Sequence, residues 1–352
     1  MTVFACAGCG AALTAPVSRV ALPVHARHRC GHELLPALMD PGTFAVDPEP
    51  SGPPWRPWEE IGTDEAEARG VYAPVPALSD GPPGSVVIAP GDVRGTVLIP
   101  GRCDGYCLGL DGGDGANLAC AGCGSAVATR IDDCSFWQAI WLAPEAVRPL
   151  PEEGPAPPIA GWTELMDEHP GVPPVEPPGH WSPLWEAAFG DALARLLAVT
   201  EGAPVSVPDG PVADVLRRPL DALLPAGPRP KALALAGPGL DPPGGGIALV
   251  PRHPQTGDAW EPAGPAEAVP LEFRVWRSLA FGDGRIPVPV TGGLPEGVHR
   301  DESPPLLPVW RFSPDWWVFI DTLARLPEVR RPWLRRIHDH VRARRFEYPP
   351  PC

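Results

Sequence analysis

The pentapeptide CAGCG occurs twice in this chain, at residues 6–10 and again at residues 120–124. In a C-x2-C-G turn two thiolates converge on one ion while backbone N–H groups near the glycine bond the sulfurs, and two such turns complete a tetrahedron. Each copy therefore reads as half of a metal clamp. Eight of the nine cysteines lie within residues 1–148, so the metal requirement belongs to the N-terminal part. With 352 residues the chain has room for two or three domains and substantial apolar cores, and metal answers a local need rather than smallness.

The first set, ACAGCGAALTAPVSRVALPVHARHRCGHEL, resembles the zinc-ribbon family over residues 5–34, where a second turn ending in CGHEL is common. That resemblance implies Cys6, Cys9 and Cys30 as three ligands of one ion. The family's second turn would place a cysteine three residues before Cys30, where this chain has Arg27. The fourth ligand then falls to His28, His25 or His32, each a neutral imidazole donor. His28 is preferred because it lies on the entering side of the turn, and an open coordination position is the further alternative.

The second set, Cys103-x3-Cys107-x12-Cys120-x2-Cys123, puts four cysteines around a glycine-rich turn and reads as a site with four thiolate ligands. Two zinc ions are thus expected. Cys134, in RIDDCSFW, reads as a core thiol or as a replacement for Cys107, and Cys352 as a free thiol. Thioredoxin-like redox chemistry fits poorly, because glycine directly follows each pair where a helix should begin. A nucleobase deaminase would need H-x-E and P-C-x-x-C; here His32 and Glu33 are adjacent and Ala119 precedes Cys120.

Proline and glycine, at 54 and 39 residues, reach a level typical of low-complexity chains. The 13 tryptophans and 44% hydrophobic content argue instead for a folded protein with many rigid connections. A net charge of −15 opposes attraction to nucleic acid, whose binding relies on basic side chains neutralising phosphates. The start, MTVFACAGCG, lacks a basic segment followed by an apolar core, and no run approaches the roughly 18–20 apolar residues of a membrane span. A cytoplasmic protein with reduced thiols is the expectation, and in that compartment closely spaced cysteines read first as metal ligands.

Three regions separate by composition, and the expected fold class is α+β. Residues 1–148 form a zinc-bound, β-rich domain; residues 149–180 are a proline-dense, acidic linker with little scope for helix or sheet; residues 181–352 form a mixed α+β domain. Two β-branched runs in residues 85–100, around Pro90, Gly91 and Asp92, suggest a hairpin. Residues 126–142 read as buried strand or short helix, and WEEIGTDEAEAR as a solvated loop and surface helix. Ser182 and Pro183 signal the start of an amphipathic helix through Trp185, Phe189, Ala192, Leu196 and Val199. KALALAG, GIALV and LEFRVW read as strands, and Ser313 with Pro314 repeats the helix-start signal before DWWVFIDTLARL.

Asp104, Asp111 and Asp114 do not match EF-hand spacing and read as turn residues. PPGGGIALV places its glycines before a strand, the wrong order for a phosphate loop. His338 and His340 point different ways on a helix and make no metal pair. In RRPWLRRIHDHVRARRF, Pro332 starts a helix on which Arg331, Arg335, His338, Arg342 and Arg345 share a face beside Leu334, Ile337 and Val341. That helix is either an anion or acidic-partner surface or, as the acidic total favours, a segment docked on the protein's own body.

The functional reading is a zinc-stabilised cytoplasmic interaction or regulatory protein without catalytic activity, whose metal sites hold loops toward a protein partner. One alternative is a metal-dependent hydrolase or transferase using an open first zinc site. The other is nucleic-acid binding through the C-terminal arginine helix.

Overall fold

The computed structural model describes residues 1–26, 34–103, 105, 107–150, 158–282, 286 and 307–344. It is a mixed α and β protein. In its N-terminal half the strands are β1 Phe4–Cys6, β2 Ser18–Arg19, β3 Thr43–Asp47, β4 Trp55–Pro57, β5 Ala77–Ser79, β6 Ser85–Ile88, β7 Thr96–Leu98, β8 Leu118–Cys120, β9 Ala126–Ile131, β10 Ala139–Leu142 and β11 Val147–Pro149, with one helix, α1 Thr63–Ala68. Frequent proline and glycine keep these elements short.

A seven-stranded sheet runs in the order β2-β3-β6-β10-β9-β8-β7, and β1 pairs with β11. The β9 and β10 strands pair antiparallel, as the run over residues 126–142 allows. The two runs of residues 85–100 are strands but not a hairpin. Residues Pro90–Asp92 form a 3-10 turn between β6, which pairs with β3 and β10, and β7, which pairs with β8. That turn is held from outside, because the Asp92 carboxylate accepts the Gly42 N–H at 2.7 Å and the Asp92 carbonyl accepts Ala15 N–H at 2.8 Å.

In the C-terminal half, α2 spans Trp162–Glu168, α3 Pro183–Thr200, β12 Val205–Ser206, α4 Pro211–Leu223, β13 Lys231–Leu235, β14 Ile247–Arg252, β15 Glu267–Glu272, α5 Phe273–Phe281, α6 Trp316–Arg325 and α7 Pro332–Arg344. The four strands form a parallel sheet in chain order. LEFRVW divides at Phe273: β15 ends at Glu272, whose carboxylate caps α5 by accepting the Val275 N–H at 2.8 Å. The cap of α6 likewise falls on Asp315, which accepts the N–H groups of Trp317 and Val318, not on Ser313. Residues 158–180 are more ordered than their prolines suggest, since they include α2, with Trp162 edge-on to His253.

The amphipathic helix expected after Ser182 is buried almost all round. Thirteen of the 18 residues of α3 are buried. Gly190 lets α6 approach closely, because a Cβ there would collide with the Asp315 carbonyl and sit 2.9 Å from Val318 Cβ. Asp191, buried beside it, takes Arg195 and Arg252 as ion-pair partners at 3.0 and 2.9 Å and accepts the Thr322 hydroxyl at 3.2 Å. Burial opposes its charge, but the two arginines outweigh it and hold the carboxyl below its ordinary range. The core around α3 also takes in Ile61, Ala66, Val71, Val75 and Leu78 from the N-terminal half. Ala66 shows that α1 is a surface helix with one buried face.

The C-terminal helix is docked. Leu334 and His338 are fully buried, Arg331 pairs with Glu201 at 3.4 Å, and Arg330 pairs with Glu67 and lies over the Tyr72 ring. Arg345, assigned to the basic face, lies outside the described residues.

Candidate metal centre

The two CAGCG copies meet. Each forms the tip of a narrow hairpin: Ala5 bridges Ala12 around the first and Ala119 pairs with Ala126 around the second. The backbone repeats bond for bond. Gly10 N–H donates to the Cys6 carbonyl at 2.9 Å and Gly124 N–H to the Cys120 carbonyl at 2.8 Å, while Cys6 N–H reaches Ala11 and Cys120 N–H reaches Ser125, both at 2.8 Å. Gly10 and Gly124 have φ of 78° and 77°, a left-handed conformation that explains why glycine closes each pentapeptide.

The surrounding strands bring the tips together. Residues behind the first knuckle lie against the segment entering β7, with Thr14 bridging Val93 and Arg94 N–H donating to the Leu13 carbonyl at 2.7 Å. That segment then pairs with β8, which carries the second knuckle, Thr96 lying opposite Cys120. Ala7 N–H and Ala121 N–H, equivalent positions, donate outward to Ala146 and Gly95, each at 2.9 Å.

The Sγ atoms of Cys6, Cys9, Cys120 and Cys123 consequently all lie within 4.8 Å of one another. Cys6 approaches Cys123, and Cys9 approaches Cys120, at 3.6 Å. Four sulfurs ~2.3 Å from a single ion would be separated by about 3.8 Å, so the thiols already outline a tetrahedral thiolate site. Cys6 and Cys120 are buried, whereas Cys9 and Cys123 are exposed. The ion would sit at the rim of the sheet with two ligands anchored in the core.

The knuckles differ at one equivalent position, Ala11 in the first and Ser125 in the second. The Ser125 hydroxyl lies 3.4 Å from Cys123 Sγ and, followed by the Ser125 N–H and the thiols of Cys6 and Cys9, lowers the Cys123 thiol to about 6. At Cys9 the Ala11 N–H also favours the thiolate, but hydrogen bonding with Cys120 and Cys123 prevails and the thiol rises to about 11. Cys123 is therefore readier than Cys9 to meet a cation as thiolate.

Among the described residues the cysteines group differently from the expected division. The register of β7 on β8 sets Leu98 opposite Leu118 and Thr96 opposite Cys120, so the chain leaves β7 away from the knuckle. Cys103 follows at the far end, its Sγ directed to the Ile99 carbonyl at 3.4 Å, and does not join Cys120. Cys107 lies instead with Asp133 and Cys134, their ligand atoms within 4.8 Å of one another. His28, Cys30 and His32 lie outside the described residues. His25 is buried with its ring 4.3 Å from that of Trp137, apart from the four-cysteine group. Identity of the two pentapeptides was the available signal, since identical halves suit a shared, two-fold-like site; Asp133, beside Cys134, carried no spacing signal.

A cleft of about 540 Å3 lies on the same side as the glycine-rich loop, with Trp55, Arg69, Gly112, Phe136, Trp141 and Arg325 in its wall. Its size and mix of aromatic and charged groups suit a small ligand or an inserted side chain. No helix among the described residues is long and apolar enough to cross a membrane. The chain matches no protein-family model, no curated protein and no solved structure.

Proposed function

We propose that the four-cysteine centre holds zinc as a structural clamp, and that the protein is a non-catalytic interaction or regulatory module that offers the clamped rim to a protein partner. The observation that carries this reading is the closed thiol set: Cys6 and Cys9 face Cys120 and Cys123, which fills all four positions of a tetrahedral ion. An open first site, as the hydrolase or transferase alternative requires, would need Cys6 and Cys9 to leave one position to water. Thiolate ligands select zinc or iron over hard cations. The charge of −15 and the pairing of Arg330 and Arg331 with Glu67 and Glu201 favour a protein partner over nucleic acid.

The test is recovery of the tagged full-length chain from its native cells, with metal analysis of the same preparation. The expected result is a tightly held zinc and one protein partner in constant ratio, lost from a Cys9→Ser chain. Recovery of nucleic acid in place of protein, or a metal-dependent turnover, would overturn the reading. A red, iron-containing preparation would replace zinc and leave the clamp.

A further inference from the structure

The second thiol group lies where the glycine-rich loop folds back on the end of β9. We infer that Cys107, Cys134 and Asp133 form a further zinc site, separate from the four-cysteine clamp, with three protein ligands and a fourth position open to an exogenous ligand. Their ligand atoms lie within 4.8 Å of one another. Cys134 is half-buried and Cys107 exposed, so the site opens to solvent on the Cys107 side.

Asp133 gives the group its direction. It is only 2% exposed, and one oxygen, Oδ2, accepts the N–H groups of Leu108 and Gly109 at 2.9 and 3.1 Å. The other, Oδ1, is buried with no well-aligned hydrogen-bond partner, although the Cys134 N–H and thiol also face the carboxylate. A buried carboxylate oxygen without a well-aligned donor is costly, and a cation supplies what such a donor would. The two N–H groups then act as outer-shell contacts that orient the carboxylate, as metal-bound carboxylates require. Two thiolates beside one carboxylate favour zinc over calcium or magnesium. Cys103 does not supply a fourth ligand, because its Sγ turns to the Ile99 carbonyl. Three protein ligands and one exchangeable position is the arrangement of reactive zinc sites.

The site adjoins the cleft. Asp132 N–H donates to the Leu110 carbonyl at 2.8 Å, and Asp111, Gly112 and Gly113 continue into the cleft wall. An ion at Asp133 would therefore sit beside one wall of the cleft.

The full chain, reloaded with zinc and freed of excess by gel filtration, is analysed for metal per chain beside Cys134→Ala, Asp133→Asn and Cys120→Ser. Asp133→Asn preserves shape and can still accept the two N–H groups, so it reports on the site should Cys134→Ala misfold. The parent is expected to hold two ions, Cys134→Ala and Asp133→Asn one each, and Cys120→Ser one. With cobalt in place of zinc, added imidazole should perturb the visible bands of the parent and leave those of Cys134→Ala unchanged. Full metal content in Cys120→Ser, with one ion lost from Cys134→Ala, would defeat the clamp reading and support this one. One ion in the parent with Cys107 and Cys134 free to alkylate, or joined as a disulfide reversed by reductant, would overturn the second site, as would cobalt bands indifferent to imidazole.

Discussion

The two halves of the molecule solve the same problem by different means. The N-terminal sheet is assembled from strands of two to six residues, with one cluster around Phe4, Leu13, Ile88, Val127 and Ile140 and another in which Val87, Ala89 and Ala139 pack against Ala187 and Val318 of the other half. The C-terminal half is organised around α3, an 18-residue helix buried against α6 and the parallel sheet. Long apolar elements can fix their neighbours by area alone. Short proline-limited strands fix theirs less well, and the four clustered cysteines lie where two chain segments 114 positions apart meet. The proposed clamp would thus substitute for core at one rim of a large protein.

The strongest way to break that contrast is Cys120→Ser. Structural zinc is worth about 10–16 kcal/mol in small zinc domains, so removing a buried ligand should release that ion and open the two hairpin tips that carry the knuckles, while the rest of the sheet and the helical half keep their protection. Circular dichroism with hydrogen exchange checks this; cooperative loss of both halves would show one shared folding unit. In the C-terminal half Asp191→Ala should cost about 1.5–3 kcal/mol, because the half-buried Arg252 and Arg195 lose their shared carboxylate, and denaturant unfolding should show it with metal content unchanged. A smaller effect separates the halves by pH. Burial first, and nearby arginines second, hold His338 below the ordinary histidine range, against the pull of Asp339. A histidine kept neutral in the fold contributes fully above the unfolded pKa, and that stability is lost as pH falls below it. Unfolding at about pH 7.5 and about pH 5.5 should show a decline that His338→Gln flattens. The least change is expected of Ser125→Ala, which makes the second knuckle chemically like the first and should weaken metal binding by roughly 10-fold as a lost outer-shell contact. Competition with a chromophoric chelator measures it.

Much of the fold was legible locally. α3 follows from its apolar periodicity and β13 and β14 from their short apolar runs, while the run that became β9 and β10 was open between strand and helix. Local signals failed where a neighbour in space decided the outcome. LEFRVW contains strand-forming residues, yet Glu272 caps a helix in the middle of it. The runs flanking Pro90 alternate like a hairpin, but Asp92 is claimed by Gly42 and Ala15 and the strands part company. The cysteine types and knuckle turns were readable in the sequence, since C-x2-C-G carries its own geometry. Their pairing was not, because Cys103 is near Cys120 in the chain while the register of β7 on β8 drives it to the opposite end of the sheet. Asp133 became visible only through its buried oxygen without a well-aligned partner.

The clamp requires both copies of CAGCG to hold one and the same ion. Metal content per chain in Cys9→Ser, in Cys123→Ser and in the double variant tests this most directly, since both positions are exposed and spare the core. With a shared ion, each single variant loses one ion relative to the parent and the double variant loses no more. Independent losses that add in the double variant would place the two knuckles in separate sites and contradict the shared clamp.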